Sequence, residues 1–190
     1  MSRGRIWSGR ISDRAIEMTE HPRYFLANDR IGFRCWKEDD LPLALELWGD
    51  SRVSEFLGGP FSAGQIRARL ETEIALQREH HIQYWPLFLL HGDVHAGCCG
   101  LRPYDAAAGI LELGFHLRPE HWGVGIGFEA ARVVIRHAFT TLAVSALFAG
   151  HFPGNTASRA LLIKLGFEYQ GMKVYPPTGV LEPTYLLRNS

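Results

Sequence analysis

Glu112-Leu113-Gly114-Phe115-His116-Leu117-Arg118-Pro119-Glu120-His121-Trp122-Gly123-Val124-Gly125-Ile126-Gly127-Phe128-Glu129-Ala130 is the stretch on which the reading of this sequence turns. Alternation over Ile110–Leu117 predicts a strand, and a turn with glycine at every second position runs straight into a helix. Glycine lets backbone approach a ligand closely, and a helix N-terminus offers unpaired N–H groups and the positive end of its dipole. Together these features suit a phosphate group. They also suit a tight strand-to-helix connection with no ligand at all. Two nucleotide-binding patterns fail on spacing. A dinucleotide turn needs a third glycine where Phe128 stands, and no Gly-Lys-Ser/Thr loop occurs anywhere in the chain.

The flanking sequence supplies alternating strands and helices. Arg30–Trp36 alternates and predicts a first strand, after which Asp39 or Asp40 can cap a helix containing Leu43, Leu45, Leu47 and Trp48. Ser62 caps a second helix to about His80, with Ile66, Leu70 and Ile74 on one stripe. Tyr84–Leu90 and Val94–Leu101 read as strands around the tight turn His91-Gly92-Asp93. Beyond the glycine-rich turn come a helix bearing Ala131, Val134, Ile135, Ala138 and Leu142, and a short strand Val144–Phe148. A helix over Asn155–Leu165 follows, then the strands Phe167–Val174 and Pro183–Leu187. The order βααβββαβαββ is mixed α/β, without internal repeats. Residues 1–29 read as an N-terminal extension and 30–190 as one domain. The extension carries Ile6, Trp7, Ile11, Ile16 and Met18, enough apolar surface to predict packing on its own domain or on a second subunit, which would make a homodimer.

The 190 residues are 46% hydrophobic and 21% charged, ordinary globular usage. Twenty Lys and Arg balance 20 Asp and Glu, so the basic excess of a phosphate-binding nucleic-acid module is missing. No apolar run approaches the ~18 residues of a membrane span. Three cysteines, two of them adjacent, give neither a disulfide framework nor a CxxC pair, which fits a reducing, cytoplasmic setting. His80, His81, His91 and His95 read as solvated surface, and no metal site is expected.

Four separated motifs resemble the GNAT superfamily of N-acetyltransferases, specifically its RimJ/RimL-like branch of ribosomal-protein acetyltransferases. That branch carries Glu-Leu-Gly-Tyr-x-Leu, then Trp-Gly-x-Gly-x-Ala-x-Glu-Ala. The matching stretches here are Glu112–Leu117 and Trp122–Ala130, with Gly97-x-x-Gly100-Leu101-Arg102 upstream and Asn155-x-x-Ser158 and Lys164-Leu165-Gly166-Phe167 downstream. The resemblance covers residues 30–188. It implies an α/β (α+β) GNAT fold: a mixed, mostly antiparallel seven-stranded sheet with about four helices, splayed between the fourth and fifth strands. It also implies acetyl-CoA as cosubstrate and no metal. Pantetheine would lie against the backbone of Phe115, His116 and Leu117. The pyrophosphate would meet the Trp122-Gly123 turn and the N–H groups of Val124, Gly125, Ile126, Gly127 and Phe128. Relatives often have a small or hydroxylated residue at the Phe128 position, where this chain can supply only a backbone N–H. The branch pattern implies that Asn155 and Ser158 contact pantetheine or assist the leaving sulfur.

Acetyl transfer needs a deprotonated amine, a stabilised oxyanion and a proton for the departing thiolate. Glu112 is the base candidate, directly or through a water, with a structural role pairing Arg102 as the alternative. His116 titrates near 6.5 when unperturbed, but its position reads better as packed or substrate-lining. Many relatives donate the thiolate proton from a tyrosine at the position of Leu162, which leaves Ser158 or water here. The expected activity is direct acetyl transfer in a ternary complex to a primary amine, either a protein N-terminus or a small molecule. A non-catalytic acyl-CoA sensor is the alternative.

Overall fold

The computed structural model describes residues 23–176 and 178–189. The apolar residues of the N-terminal extension, Ile6 to Met18, lie outside that range. Eight strands form one sheet: β1 (Leu26–Ala27), β2 (Ile31–Phe33), β3 (Tyr84–Leu89), β4 (Val94–Asp105), β5 (Ile110–Leu117), β6 (Ala146–Gly150), β7 (Glu168–Tyr175) and β8 (Val180–Arg188). Their spatial order is β1-β2-β3-β4-β5-β6-β8-β7, and every pairing is antiparallel except β5–β6. The extra strand beyond the seven expected is the two-residue β1. It pairs Leu26 with Phe33 ahead of residue 30, where the sequence shows no sustained period.

The α-helices are α1 (Leu41–Trp48), α2 (Ser51–Ser54), α3 (Ala63–His80), α4 (Ile126–Thr140) and α5 (Thr156–Lys164). Strand alternation sends neighbouring side chains to opposite faces, and the two faces carry separate cores. One core joins Trp85, Leu87, Cys99, Leu101 and Leu113 to Ala130, Val134 and Ala138 of α4 and Leu162 of α5. The other joins Tyr84 and Cys98 to Trp36, Ala44, Leu47 and Trp48 around α1 and to Ile66 and Leu70 of α3. Ser62 caps α3 as expected, in a capping box with Gln65. Asp40 does not cap α1. It takes a bidentate ion pair from Arg34 at 2.6 and 2.7 Å, because a buried guanidinium gains more from a carboxylate than a helix end does.

Histidine 95 corrects an expectation. Its ring is buried between Trp36 and Phe88, and neither ring nitrogen finds a hydrogen-bond partner among the described residues. Burial, followed by the charge of Arg118, holds its pKa down at about 4.

Candidate active site

The one parallel pairing is also the shortest pairing in the middle of the sheet. β5 meets β6 only at Ile110–Ala146, Leu111–Leu147 and Glu112–Phe148. Beyond Glu112 the strands part, and β5 runs on to Leu117 bonded to β4 alone. The Arg118 N–H donates to the Ala96 carbonyl of β4 at 2.9 Å, which sets the alternation of the whole strand. Backbone groups of residues 112, 114 and 116 therefore face β4, and those of Phe115 and Leu117 face the split, while the Leu113 N–H still belongs to the last rung of the β5–β6 ladder, at Phe148. This assigns Phe115 and Leu117 the open backbone expected of them. It turns the backbone of His116 away, toward β4.

The following turn keeps its N–H groups unpaired as well. Among the described residues, none of the backbone N–H groups from Gly123 to Phe128 donates to a backbone or side-chain acceptor, and the first helical bond of α4 is Glu129 to Gly125 at 3.1 Å. Gly123 and Gly125 have φ of +74° and +87°, in the left-handed region, and a Cβ at either would meet nothing within 4 Å. The exposed groups of Gly123, Val124 and Gly125 thus line open space at the positive end of a 15-residue helix, whereas Ile126 and Gly127 are buried. The Trp122 indole N–H donates to the Leu117 carbonyl at 2.9 Å, which fixes the angle between strand and turn and removes that carbonyl from the open set. Gly127 serves packing: a Cβ there would press on Leu161 at 3.0 Å and Leu117 at 3.2 Å.

Three cations extend this side. Arg132 and Arg136 of α4 and Lys164 of α5 line a groove of about 300 Å³ with Phe128, whose ring carries the Lys164 ammonium 4.4 Å from its centre. Phe128 therefore offers a side-chain surface as well as a backbone N–H. The cations were not legible in advance, because they come from two helices separated by a strand.

On the opposite face of the sheet stands Glu112. The Tyr84 hydroxyl donates to it at 3.0 Å, and burial raises its pKa above the ordinary carboxylate value against the opposing pull of Tyr84, Arg102 and Arg69. Gly114 makes this contact possible. A Cβ there would lie 2.2 Å from the Tyr84 hydroxyl, so only glycine lets the ring cross β5 and reach Glu112. The expected pairing of Glu112 with Arg102 is not found. Arg102 sits opposite Glu112 in register but makes its ion pair with Glu73, which is fully buried and also accepts the Tyr84 N–H at 2.8 Å. Its guanidinium lies 4.3 Å over the Tyr84 ring.

His116 shares this face. The Trp48 indole N–H donates to its Nδ1 at 3.3 Å, and Cys98 Sγ is 3.5 Å away. Desolvation, with Arg69 and Arg102 adding repulsion, holds its pKa well below the usual histidine range. An acceptor ring nitrogen so placed is a lining group. A second acid is brought in from afar: Glu182 of β8 is buried, and its Oε2 lies 3.7 Å from where a Cβ of Gly150 would be, at the end of β6 where the strands part. Burial raises its pKa first and the charge of Glu112 second.

Asn155 caps α5, its Oδ1 accepting the Ser158 N–H at 2.9 Å. Ser158 is nearly buried, and its hydroxyl has no partner among the described residues. Leu162 is core, packed with Val134 and Leu147. Among the described residues no group of three or more metal-ligating side chains occurs, and no helix is long and apolar enough to cross a membrane.

The model of the acetyltransferase (GNAT) domain matches residues 30–168. Over 149 residues the chain is 28% identical to the uncharacterized N-acetyltransferase p20 of Bacillus licheniformis, covering 77% of this chain and 84% of that protein. An acetyltransferase from Agrobacterium tumefaciens superposes with a TM-score of 0.75 at 21% identity, over 86% of this chain and 94% of the other. The RimL ribosomal L7/L12 α-N-protein acetyltransferase in complex with coenzyme A superposes with a TM-score of 0.72 at 16% identity, over 85% and 95% of the two chains. At these identities the two superpositions speak to the fold.

Proposed function

The chain belongs to the GNAT family of acetyltransferases, and on that premise we propose that it moves an acetyl group from acetyl-CoA directly to a primary amine in a ternary complex. The carrying observation is the exposed turn Gly123–Gly125 at the start of α4, whose N–H groups find no partner among the described residues, placed beside a strand whose outer backbone is open. These residues fit the cosubstrate. The turn suits a pyrophosphate by hydrogen bonding and by the α4 dipole, and Arg132, Arg136 and Lys164 suit its remaining phosphate. Phe115 and the Leu117 N–H suit an extended amide chain lying as an extra strand. When bound, acetyl-CoA supplies an activated acyl carbon and a thiolate leaving group.

The protein's own residues supply the rest. Glu112, desolvated and held by Tyr84, is the base that takes a proton from the incoming ammonium. Burial raises its pKa above that of a free carboxylate, which makes it the stronger base. Glu182 adds negative charge at the mouth of the split, which favours a cationic acceptor. A free N–H of β5 is the donor available to the developing oxyanion. The unpartnered Ser158 hydroxyl is the proton source proposed for the sulfur. The acceptor class, protein N-terminus or small amine, is tested by thiol release from acetyl-CoA with a panel of both. Turnover with one class supports the transferase, and tight coenzyme A binding without turnover on any amine would support a sensor instead.

A further inference from the structure

Among the described residues, Arg69 is a cation without a counter-ion. It lies on the inward stripe of α3 among Ile66, Leu70 and Glu73, all of them buried. Its guanidinium packs 4.7 Å over the Trp48 ring. Its Nε is sealed from solvent and bonded to nothing, and among the described residues no carboxylate lies within ion-pair distance. The other inward-facing arginines show the usual arrangement: Arg34 is held by Asp40, and Arg102 by Glu73. Arg69 as a whole is half-buried, and a guanidinium drawn out of water in this way is ordinarily paired. Desolvation accordingly lowers the pKa of Arg69, and the like charge of Arg102 adds to that.

The position of this unpaired charge is specific. Trp48, on which Arg69 lies, also donates to His116; the His116 ring is 5.6 Å from the Tyr84 ring; and the Tyr84 hydroxyl is bonded to Glu112. Arg69 and Glu112 therefore stand at two ends of one contact chain on the acceptor face, one end cationic and the other anionic. The fork of a guanidinium matches a carboxylate bidentately, and a carboxylate base suits an ammonium.

We propose that Arg69 binds a carboxylate carried by the acceptor, so that the preferred acceptor is an amino acid, with its amine at Glu112 and its acid group at Arg69. This rests on the transferase reading above and narrows its acceptor class. A peptide N-terminus with no carboxylate in reach would leave Arg69 unpaired.

The test compares glycine, β-alanine, 4-aminobutyrate, 6-aminohexanoate and the L-α-amino acids with their own carboxamides, at saturating acetyl-CoA, in the wild type and in Arg69→Met and Arg69→Lys. The wild type is expected to favour at least one acid over its amide by ~10-fold or more in kcat/KM, carried in KM. Arg69→Met should bring that ratio close to one, and Arg69→Lys should restore part of it. The chain length that reacts best reports the distance from Arg69 to Glu112. Amides used as well as acids, or a preference that survives Arg69→Met, would overturn the assignment while leaving the transferase intact. If Arg69→Met does not fold, the wild-type ratio and Arg69→Lys still decide. Acetyl transfer to N-terminal peptides but to no amino acid would overturn it too. Failure to bind acetyl-CoA, measured separately by calorimetry, would count against the transferase reading itself.

Discussion

The two faces of the central sheet hold the two halves of the site, and they are built by different means. On the α4 face a ligand would meet backbone: the unpaired N–H groups of one turn and the open edge of one strand. On the α1–α3 face it would meet side chains drawn from five elements, with Arg69 and Glu73 on α3, Tyr84 on β3, Arg102 on β4, Glu112 on β5 and Glu182 on β8. A backbone site is encoded by a short contiguous segment, since glycines, a helix start and an unpaired strand are local properties. A side-chain site is encoded by topology, and each residue can change without disturbing its neighbours in sequence. The backbone half therefore suits an invariant ligand and the side-chain half a variable one.

That division can be broken by substitution. Glu112→Gln keeps an acceptor for the Tyr84 hydroxyl, so turnover should fall by ~100–10,000-fold while coenzyme A affinity holds. Because burial raises the folded pKa of Glu112 above its unfolded value, its ionisation lowers stability as pH rises past the unfolded pKa. The neutral variant should thus melt at the wild-type temperature or higher at pH 7. A lower melting temperature with unchanged turnover would make Glu112 structural. Gly125→Glu should act on the other half alone. It sets a carboxylate against the pyrophosphate and strains a φ of +87°, at a cost of ~1–2 kcal/mol, so coenzyme A affinity should drop ~100-fold or more in a protein that still folds. Retained affinity in calorimetry would refute the turn assignment.

Smaller effects sharpen the same contrast. Lys164→Ala should weaken coenzyme A by about fivefold and 3′-dephospho-coenzyme A hardly at all, since one exposed charge-assisted contact is worth little more. Equal losses would place the phosphate elsewhere. The buried His95 belongs to neither half and should register only in stability. Its pKa of about 4 lies below the unfolded value near 6.5, so stability is full above pH 6.5 and declines as pH falls toward 4, by about 3 kcal/mol. His95→Phe should flatten that stretch of a melting-temperature profile. An unchanged slope would show that other groups set it.

The sequence announced the backbone half well. Strand Ile110–Leu117 matches to the residue, the turn and helix follow in place, and Asn155 caps its helix. What escaped was long-range. The role of Gly114 depends on Tyr84, 30 positions earlier, and the orientation of the His116 backbone depends on the register with β4. Arg69 and Glu73 carried a readable signal, charges interrupting the apolar stripe of Ile66 and Leu70, but which charges would pair was decided by β4. The β1 strand is too short for periodicity to mark.

Amide-resolved NMR of the uniformly labelled protein during coenzyme A titration tests the central claim most directly. The largest shifts are expected at the N–H groups of Gly123–Phe128, with Phe115 and Leu117 next and the His116 amide nearly still. Shifts concentrated on the α1–α3 face, or a His116 amide moving as far as those of Phe115 and Leu117, would contradict it.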